Sequence, residues 1–347
     1  IYNPTRNPKA ALDRRNIVIG QMEVNGKIKP TEAAKFKATP IKLNYKKLDE
    51  NTGYAPYFRE VLKSELREAL KGLKNPNGDD YSIYNDGLKV YTTINIQMQE
   101  IAEEGMAQHM LLLQKGINAR SDFKNGSIWK GREKFLEKAA KESDRWKNLE
   151  EDGLSDKEIR ASFDVKVPMK VFVWNSKREK DTTLTPMDSI KYHLQMEQAG
   201  FMAMDPVTGE VRAWVGGIDF KTYKNDHVNL NTKRQVGSTI KPFLYTQAME
   251  ERGFTPETEC ENVAQFFPGS GWVPSGRKCG GGSMSMANAL AFSKNCATAY
   301  IMKQVGPQQF SDFLSRISIP TKVKPYPSIA LGTCDLSIYE MLWGYTI

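Results

Sequence analysis

The chain has 347 residues, 40% hydrophobic and 26% charged, which is ordinary for globular protein and leaves room for two or three domains. Its net charge of +8 is spread over scattered Lys and Arg. That suits a solvated surface or proximity to phospholipid or a polyanionic polymer, and no nucleic-acid recognition module accompanies it. No run approaches 18 apolar residues, and no G-x-G-x-x-G or Walker A pattern occurs, which leaves a membrane span and a nucleotide-binding fold unsupported.

Residues 10 to 37 predict two helices, one over Arg14 to Met22 and one opening after Lys29-Pro30, with Thr31 as its cap. Pro40 to Tyr57 is extended. Phe58 to Leu73 is an amphipathic helix closed by Gly72 and Asn75-Pro76-Asn77-Gly78. Leu88 to Ile94 alternates with β-branched residues and predicts a strand, and Ile96 to about Lys115 predicts a helix. The polar stretch from Gly116 to Asp164 predicts a mostly helical surface excursion. Val165 to Trp174 is strand material kept to an edge by Pro168, and Ser189 to Ala199 is helical.

Gly200 to Met204 and Glu210 to Val215 form a predicted hairpin, turned by Pro206 and Gly209. From Ser238 onward helices dominate. Strands preceding helices, rather than alternating with them, predict an α+β fold with an antiparallel sheet. The ends, Ile1 and the amphipathic run LSIYEMLWGYTI without cap or breaker, suggest a piece of a longer chain.

Four Ser-x-x-Lys runs begin at Ser121, Ser127, Ser238 and Ser275. Only Ser238 has the context of a helix start. Pro242 is tolerated only in a first turn, and Phe243 to Glu251 is helix-forming until Gly253. Ser238 then lies among unpaired amides at the positive end of the helix, which also favours a lowered pKa for Lys241 one turn along. A serine hydroxyl needs a base, and a neutral lysine on the same face can supply it. A plain helix cap explains Ser238 as well. Ser121 and Ser127 lie in a charged stretch, and Ser275 in a Gly-rich loop that also holds Trp272, a cleft-lining or simply packed aromatic.

A second constellation, Ser293-Lys294-Asn295, separates two predicted helices and is the only Ser-x-Asn in the chain. Its hydroxyl can relay a proton and its amide can bond a substrate amide, although Asn295 also suits the cap of the following helix. Cys260, Cys279, Cys296 and Cys334 include no Cys-x-x-Cys pair, and the three histidines lack ligand spacing. Cys260 and Cys279 flank a loop and either pair with each other or remain thiols.

These motifs together resemble the penicillin-interacting serine acyltransferases. DPVTGEVRAWVGG from Asp205, RQVGSTIKPFLY from Arg234 and ALAFSKN from Ala289 look like the transpeptidase domain of bifunctional, class A penicillin-binding proteins. NPTRNPKAALDRRNIVIGQM from Asn3 resembles the tail of that family's glycosyltransferase domain. The segments from Tyr57 and Gly87 look like its interdomain linker. The resemblance implies a glycosyltransferase remnant over 1–45, a linker over 46–115, an insertion over 116–164 and a transpeptidase domain over 165–347.

It further implies Ser238 as acylated nucleophile, Lys241 as general base, Ser293 as proton relay and Asn295 as holder of the substrate's peptide amide, with no metal or organic cofactor. Stem peptides and a lipid-linked precursor would be substrates and β-lactams inhibitors. The setting would be extracytoplasmic, with membrane attachment through a preceding helix. The family's third motif, Lys-Thr-Gly or Lys-Ser-Gly, does not occur here. Since one oxyanion donor is worth on the order of 100- to 1000-fold in rate, a crippled or ligand-sensing version of the fold is the alternative, as is a D,D-carboxypeptidase.

Overall fold

The computed structural model describes residues 2–43, 50–270 and 279–346, which divide into two compact units between Thr52 and Gly53. The first is a helical hairpin of α1 (Pro8–Val24) and α2 (Pro30–Ala38). Both open on a proline, whose missing N–H costs nothing in a first turn. Thr31 is not the cap of α2. Lys29 precedes the helix, and its backbone N–H donates to the Glu32 carboxylate at 2.9 Å. Arg15 fastens the end of α2 by donating to the carbonyls of Thr39 and Lys37.

The second unit begins with α3 (Pro56–Ala69) and α4 (Ile96–Asn118). The predicted strand over Leu88 to Ile94 does not form. Alternation suits a strand only where a partner edge is open, and Tyr91 is left 89% exposed. The neighbouring strand edge is instead covered by α4 and its approach. Asn95 N–H and Thr93 Oγ1 donate to the carbonyls of Arg212 and Val211, and fully buried Gln99 takes the next position. Its side chain accepts from Trp214 N–H at 2.7 Å and donates to Trp214 O at 2.9 Å, standing in for a strand.

The stretch from Gly116 is helical as expected, as α5 (Ser121–Lys124), α6 (Glu133–Glu142), α7 (Asp144–Glu151) and α8 (Asp156–Ser162). It has its own core of Ala140, Trp146, Ile159 and Phe163. The antiparallel pair β1 (Val167–Phe172) and β2 (Glu179–Leu184) follows. Pro168 is accommodated because a two-stranded ribbon is all edge. β2 is too polar to stand out in the sequence. The helix predicted over Ser189 to Ala199 lies earlier, as α9 (Pro186–Leu194), capped by Thr185 Oγ1. Beyond it the backbone is pinned by Gln114 of α4, which donates to Gln195 O and accepts from Glu197 N–H.

The hairpin forms as predicted, from β3 (Phe201–Met204) and β4 (Val211–Val215). It packs Met202 and Trp214 with Tyr57, Phe220 and Val228. Gly216 and Gly217 lie so close beneath Tyr57 that a β-carbon at either would fall 2.6 and 2.3 Å from its ring and hydroxyl. Next come β5 (Arg234–Gln235), a 3-10 turn (Gly237–Ile240) and α10 (Lys241–Arg252). β6 (Glu259–Glu261) pairs with β7 (Ser283–Ser285), and α11 (Met286–Ala291), α12 (Asn295–Val305) and α13 (Pro307–Arg316) follow. β8 (Asp335–Leu336) pairs with β5, and α14 (Ile338–Tyr345) follows it. That last helix does carry a start signal: Ser337 and Glu340 form a capping box. The largest core, with Ile240, Leu244, Ala248, Ala297, Ile301 and Leu314 all but fully buried, locks α10 against α12 and α13. The architecture is the expected α+β one, helix-rich with small antiparallel sheets.

Candidate active site

Gly237, at φ +56°, turns the chain out of β5 into the 3-10 turn. A 3-10 turn has three residues per turn, so positions three apart eclipse, and Ser238 and Lys241 share a face. Lys241 N–H donates to Ser238 O, continuing the turn into α10. The sequence-predicted helix start is therefore correct in place, with Ser238 in the 3-10 entry rather than the α-helix itself. Gly237 N–H and Val236 N–H donate to Gly332 O and Cys334 O at 3.0 and 3.1 Å. Gly332 (φ +73°) packs so closely that a β-carbon there would lie 1.9 Å from Gly237 O. Tyr345 of α14 donates its hydroxyl to Thr239 O at 2.7 Å. The turn carrying Ser238 is thus held from behind by the segment ending in α14. Neither Gly332 nor Tyr345 was singled out in the sequence. The only signal was a lone Gly after a hydrophobic run.

The second arm is the bend between α11 and α12. Ser293 sits at φ +49°, a conformation that costs a residue with a β-carbon and is found where surrounding structure enforces it. Its N–H donates to Leu290 O, and Lys294 N–H to Ala289 O. Asn295 is not a helix cap. Lys294 holds that position and Asn295 is the first residue of α12, which leaves its side chain available. Below, Tyr245 of α10 and Thr298 of α12 are joined through their hydroxyls at 3.0 Å.

These arms meet at Lys241. Its side chain is 1% exposed, and Nζ donates to Asn295 Oδ1 at 2.8 Å, Ser293 O at 2.9 Å and Ser293 Oγ at 3.0 Å. An ammonium has three donors, and all three are used. Burial nonetheless pushes the group down from 10.5 to about 8, because the charged form has lost its water. Ser238, Ser293 and Asn295 are exposed. Ser238 Oγ makes no side-chain hydrogen bond among the described residues. The arrangement therefore combines a reachable hydroxyl with a buried amine whose proton is loosened by burial, and a second hydroxyl and a side-chain amide that both rest on that amine. That is the equipment of acyl transfer through a serine ester.

The other Ser-x-x-Lys runs do not share this setting. Ser121 opens a four-residue helix and Ser127 a short 3-10 turn, both with exposed lysines. Ser275 and Trp272 lie outside the described residues. The cysteine expectation is corrected: Cys279 pairs with Cys296, not Cys260. Cys260 faces the core from β6, fully buried, with its thiol pointed at Thr258 O. Cys260 and Cys334 stay thiols, both pushed up to about 11 by burial and so unreactive. Among the described residues no cluster of three His, Cys, Asp or Glu could hold a metal, and no helix is long and apolar enough to cross a membrane.

Comparison with known proteins follows the same lines. Residues 124–196 match the penicillin-binding protein middle domain, and residues 199–324 match the penicillin binding protein transpeptidase domain, which contains Ser238, Lys241, Ser293 and Asn295. Penicillin-binding protein 1A of Rickettsia conorii is 27% identical over 99% of this chain and 45% of its own length. Its counterpart in Escherichia coli is 25% identical over 100% of this chain and 44% of its own. The chain thus spans about half the length of the curated relatives it matches. The crystal structure of penicillin-binding protein 1A from Haemophilus influenzae superposes with a TM-score of 0.60 at 19% identity, covering 99% of this chain and 53% of that one, which establishes a shared fold.

Proposed function

This chain belongs to the penicillin-binding proteins and carries their transpeptidase domain, and from that premise we propose that it forms the acyl-serine site of a peptidoglycan D,D-transpeptidase within a bifunctional cell-wall synthase. The observation that carries the reading is the buried Lys241 amine, one turn from Ser238 and bonded to Ser293 and Asn295.

Ser238 Oγ attacks the carbonyl carbon of a D-Ala-D-Ala bond as its proton passes to Lys241 Nζ. The amide at the helix entry faces the developing oxyanion. Collapse breaks the C–N bond, and the departing D-alanine amine receives that proton through Ser293 Oγ. Asn295 bonds the donor peptide's amide and keeps the carbonyl in line. An amine from a neighbouring strand then attacks the ester, Lys241 takes its proton and returns it to Ser238 Oγ, and the C–O bond breaks to free the hydroxyl. A β-lactam enters the first half of this sequence as a strained amide whose leaving group stays attached. No metal or organic cofactor takes part.

The substrates are peptidoglycan stem peptides and lipid-linked precursor. The location is the extracytoplasmic face of the membrane, to which the whole protein is anchored. Residues 1–45 are assigned to the end of a glycosyltransferase domain and 46–115 to a linker. The stretch read as an insertion, 116–164, and the start of the transpeptidase domain assigned to 165–347 overlap the matched middle domain, 124–196, with the transpeptidase match itself at 199–324. The test is to treat the protein with a β-lactam, digest it and weigh the peptides. The adduct is expected on Ser238 alone and is lost in Ser238→Ala. An adduct on Ser121, Ser127 or Ser275 would overturn the assignment. A donor peptide ending in D-Ala-D-Ala, supplied with and without an acceptor amine, separates crosslinking from the carboxypeptidase outcome, which yields only the free acid.

A further inference from the structure

The disulfide lies beside the site, and its connections give it a role there. Cys296 is the second residue of α12, directly after Asn295 and three residues after Ser293, so the bond attaches to the segment that supplies all three acceptors of Lys241. The ring it closes, from 279 to 296, contains both Ser293 and Asn295.

Its other end is anchored. After Cys279, Gly281 N–H donates to Asn262 O at 3.1 Å, and Asn262 N–H donates to Gly282 O at 2.9 Å. These bonds continue the β6–β7 ladder, in which Glu259, Cys260 and Glu261 face Ser285, Met284 and Ser283. Asn262 is buried beneath, and a β-carbon on Gly280 would fall 2.7 Å from its Nδ2, so the chain passes over it with no slack.

The segment so tethered needs holding. Ser293, Lys294 and Asn295 are exposed, so burial contributes little to their placement, and Ser293 occupies a left-handed conformation that relaxation would abandon. Besides the disulfide, the bend is restrained by its own backbone turn, by the Lys241 ammonium and by buried Thr298, whose N–H and Oγ1 donate to Lys294 O.

We propose that the Cys279–Cys296 disulfide is a positioning element of the acyl-serine site, holding the Ser293–Asn295 bend onto Lys241, so that opening it slows acylation of Ser238. The inference rests on the transpeptidase reading above. Opening the bond lets the bend relax away from Nζ and admits water. A displacement on the order of 1 Å at a reacting group is enough to cost up to two orders of magnitude in rate. Water at Nζ would also raise Lys241 from about 8 toward its ordinary range.

The experiment compares the whole protein oxidised, reduced with dithiothreitol, and reoxidised. One dithiol closes to its own disulfide and delivers two electrons and two protons, leaving two cysteine thiols. Cys279, only partly buried, gives the reagent access. Acylation by a fluorescent penicillin is followed for both rate and labelled fraction, and Lys241 is titrated by NMR of its side-chain carbons. Reduction is expected to slow acylation by about tenfold or more at unchanged labelled fraction and to move the Lys241 midpoint upward by about a unit, both reversed on reoxidation. Cys279→Ser should reproduce the reduced state and ignore the reductant. It replaces the less buried partner, so its folding is not at risk as that of a Cys296 variant would be. Equal rates and equal Lys241 midpoints in the two states would overturn the proposal. So would a loss of labelled fraction at constant rate, which would mean that the bond only stabilises the fold. If the oxidised protein takes no label at all, the transpeptidase reading fails, and the Lys241 titration still decides whether the disulfide positions the bend.

Discussion

The lysine base makes a quantitative prediction about pH. Only the neutral amine can accept the Ser238 proton, and the buried Lys241 is held at about 8 against an ordinary 10.5. With that midpoint, about one molecule in eleven is neutral at pH 7 and about ten in eleven at pH 9. The second-order acylation rate should therefore rise about tenfold between pH 7 and 9, with its midpoint near 8, and then level off. An ordinary exposed lysine would instead give about a hundredfold rise over the same interval with no plateau by pH 9. The assay is stopped-flow acylation by a fluorescent penicillin across pH 6 to 10 at constant ionic strength. A flat profile, or one still climbing tenfold per pH unit at pH 9, would refute the assignment of Lys241 as a desolvated base.

The same shift appears in stability. Between pH 8 and 10.5 the unfolded chain binds the lysine proton and the folded chain does not, so unfolding free energy rises with pH there. The penalty for burying the charge is fully present below pH 8, falls away between 8 and 10.5, and is gone above 10.5. For this group alone the relief amounts to at most about 3 kcal/mol. It is read as the difference in urea unfolding between wild type and Lys241→Met at pH 7.5 and pH 10. The difference should shift toward wild type at the higher pH.

Other substitutions test the supports of the site. Lys241→Arg keeps the charge but cannot release a proton, so acylation of the folded variant should fall by roughly 100-fold or more, beyond any loss in thermal midpoint from seating the larger guanidinium in a buried place, and near-normal labelling would refute the base. Gly332→Ala places a β-carbon 1.9 Å from Gly237 O at a positive φ, and should lose about 2 kcal/mol or more in chemical denaturation and slow acylation together. A neutral result would show that the turn is not braced there. Gln99→Leu strips Trp214 N–H and O of their partners in a buried place and should cost about 2–4 kcal/mol, whereas a loss below about 0.5 kcal/mol would mean the α4 side chain does not complete the sheet edge.

Features governed by neighbours a few residues apart were readable in advance. Pro242 places a helix start, i,i+3 spacing puts Ser238 and Lys241 on one face, and Pro206 with Gly209 turns the β3–β4 hairpin, because each obeys local backbone sterics. The failures share the opposite character. Leu88 to Ile94 alternates correctly, yet forms no strand, because the edge beside it is taken by a glutamine from the next helix. Cys279 is paired with Cys296 rather than Cys260 because β6 turns Cys260 inward to the core. Gly332 lies ninety-odd residues from the turn it braces, and nothing in its surroundings announces that contact. The three acceptors on Lys241 come from 52 and 54 residues further along, and they reach it only because α10 and α12 bury a common apolar face. The residues of the site could be named from their spacing. Their meeting, and the loss of water that makes the lysine a base, depends on long-range packing, in which many weak apolar contacts outweigh the cost of burying an amine.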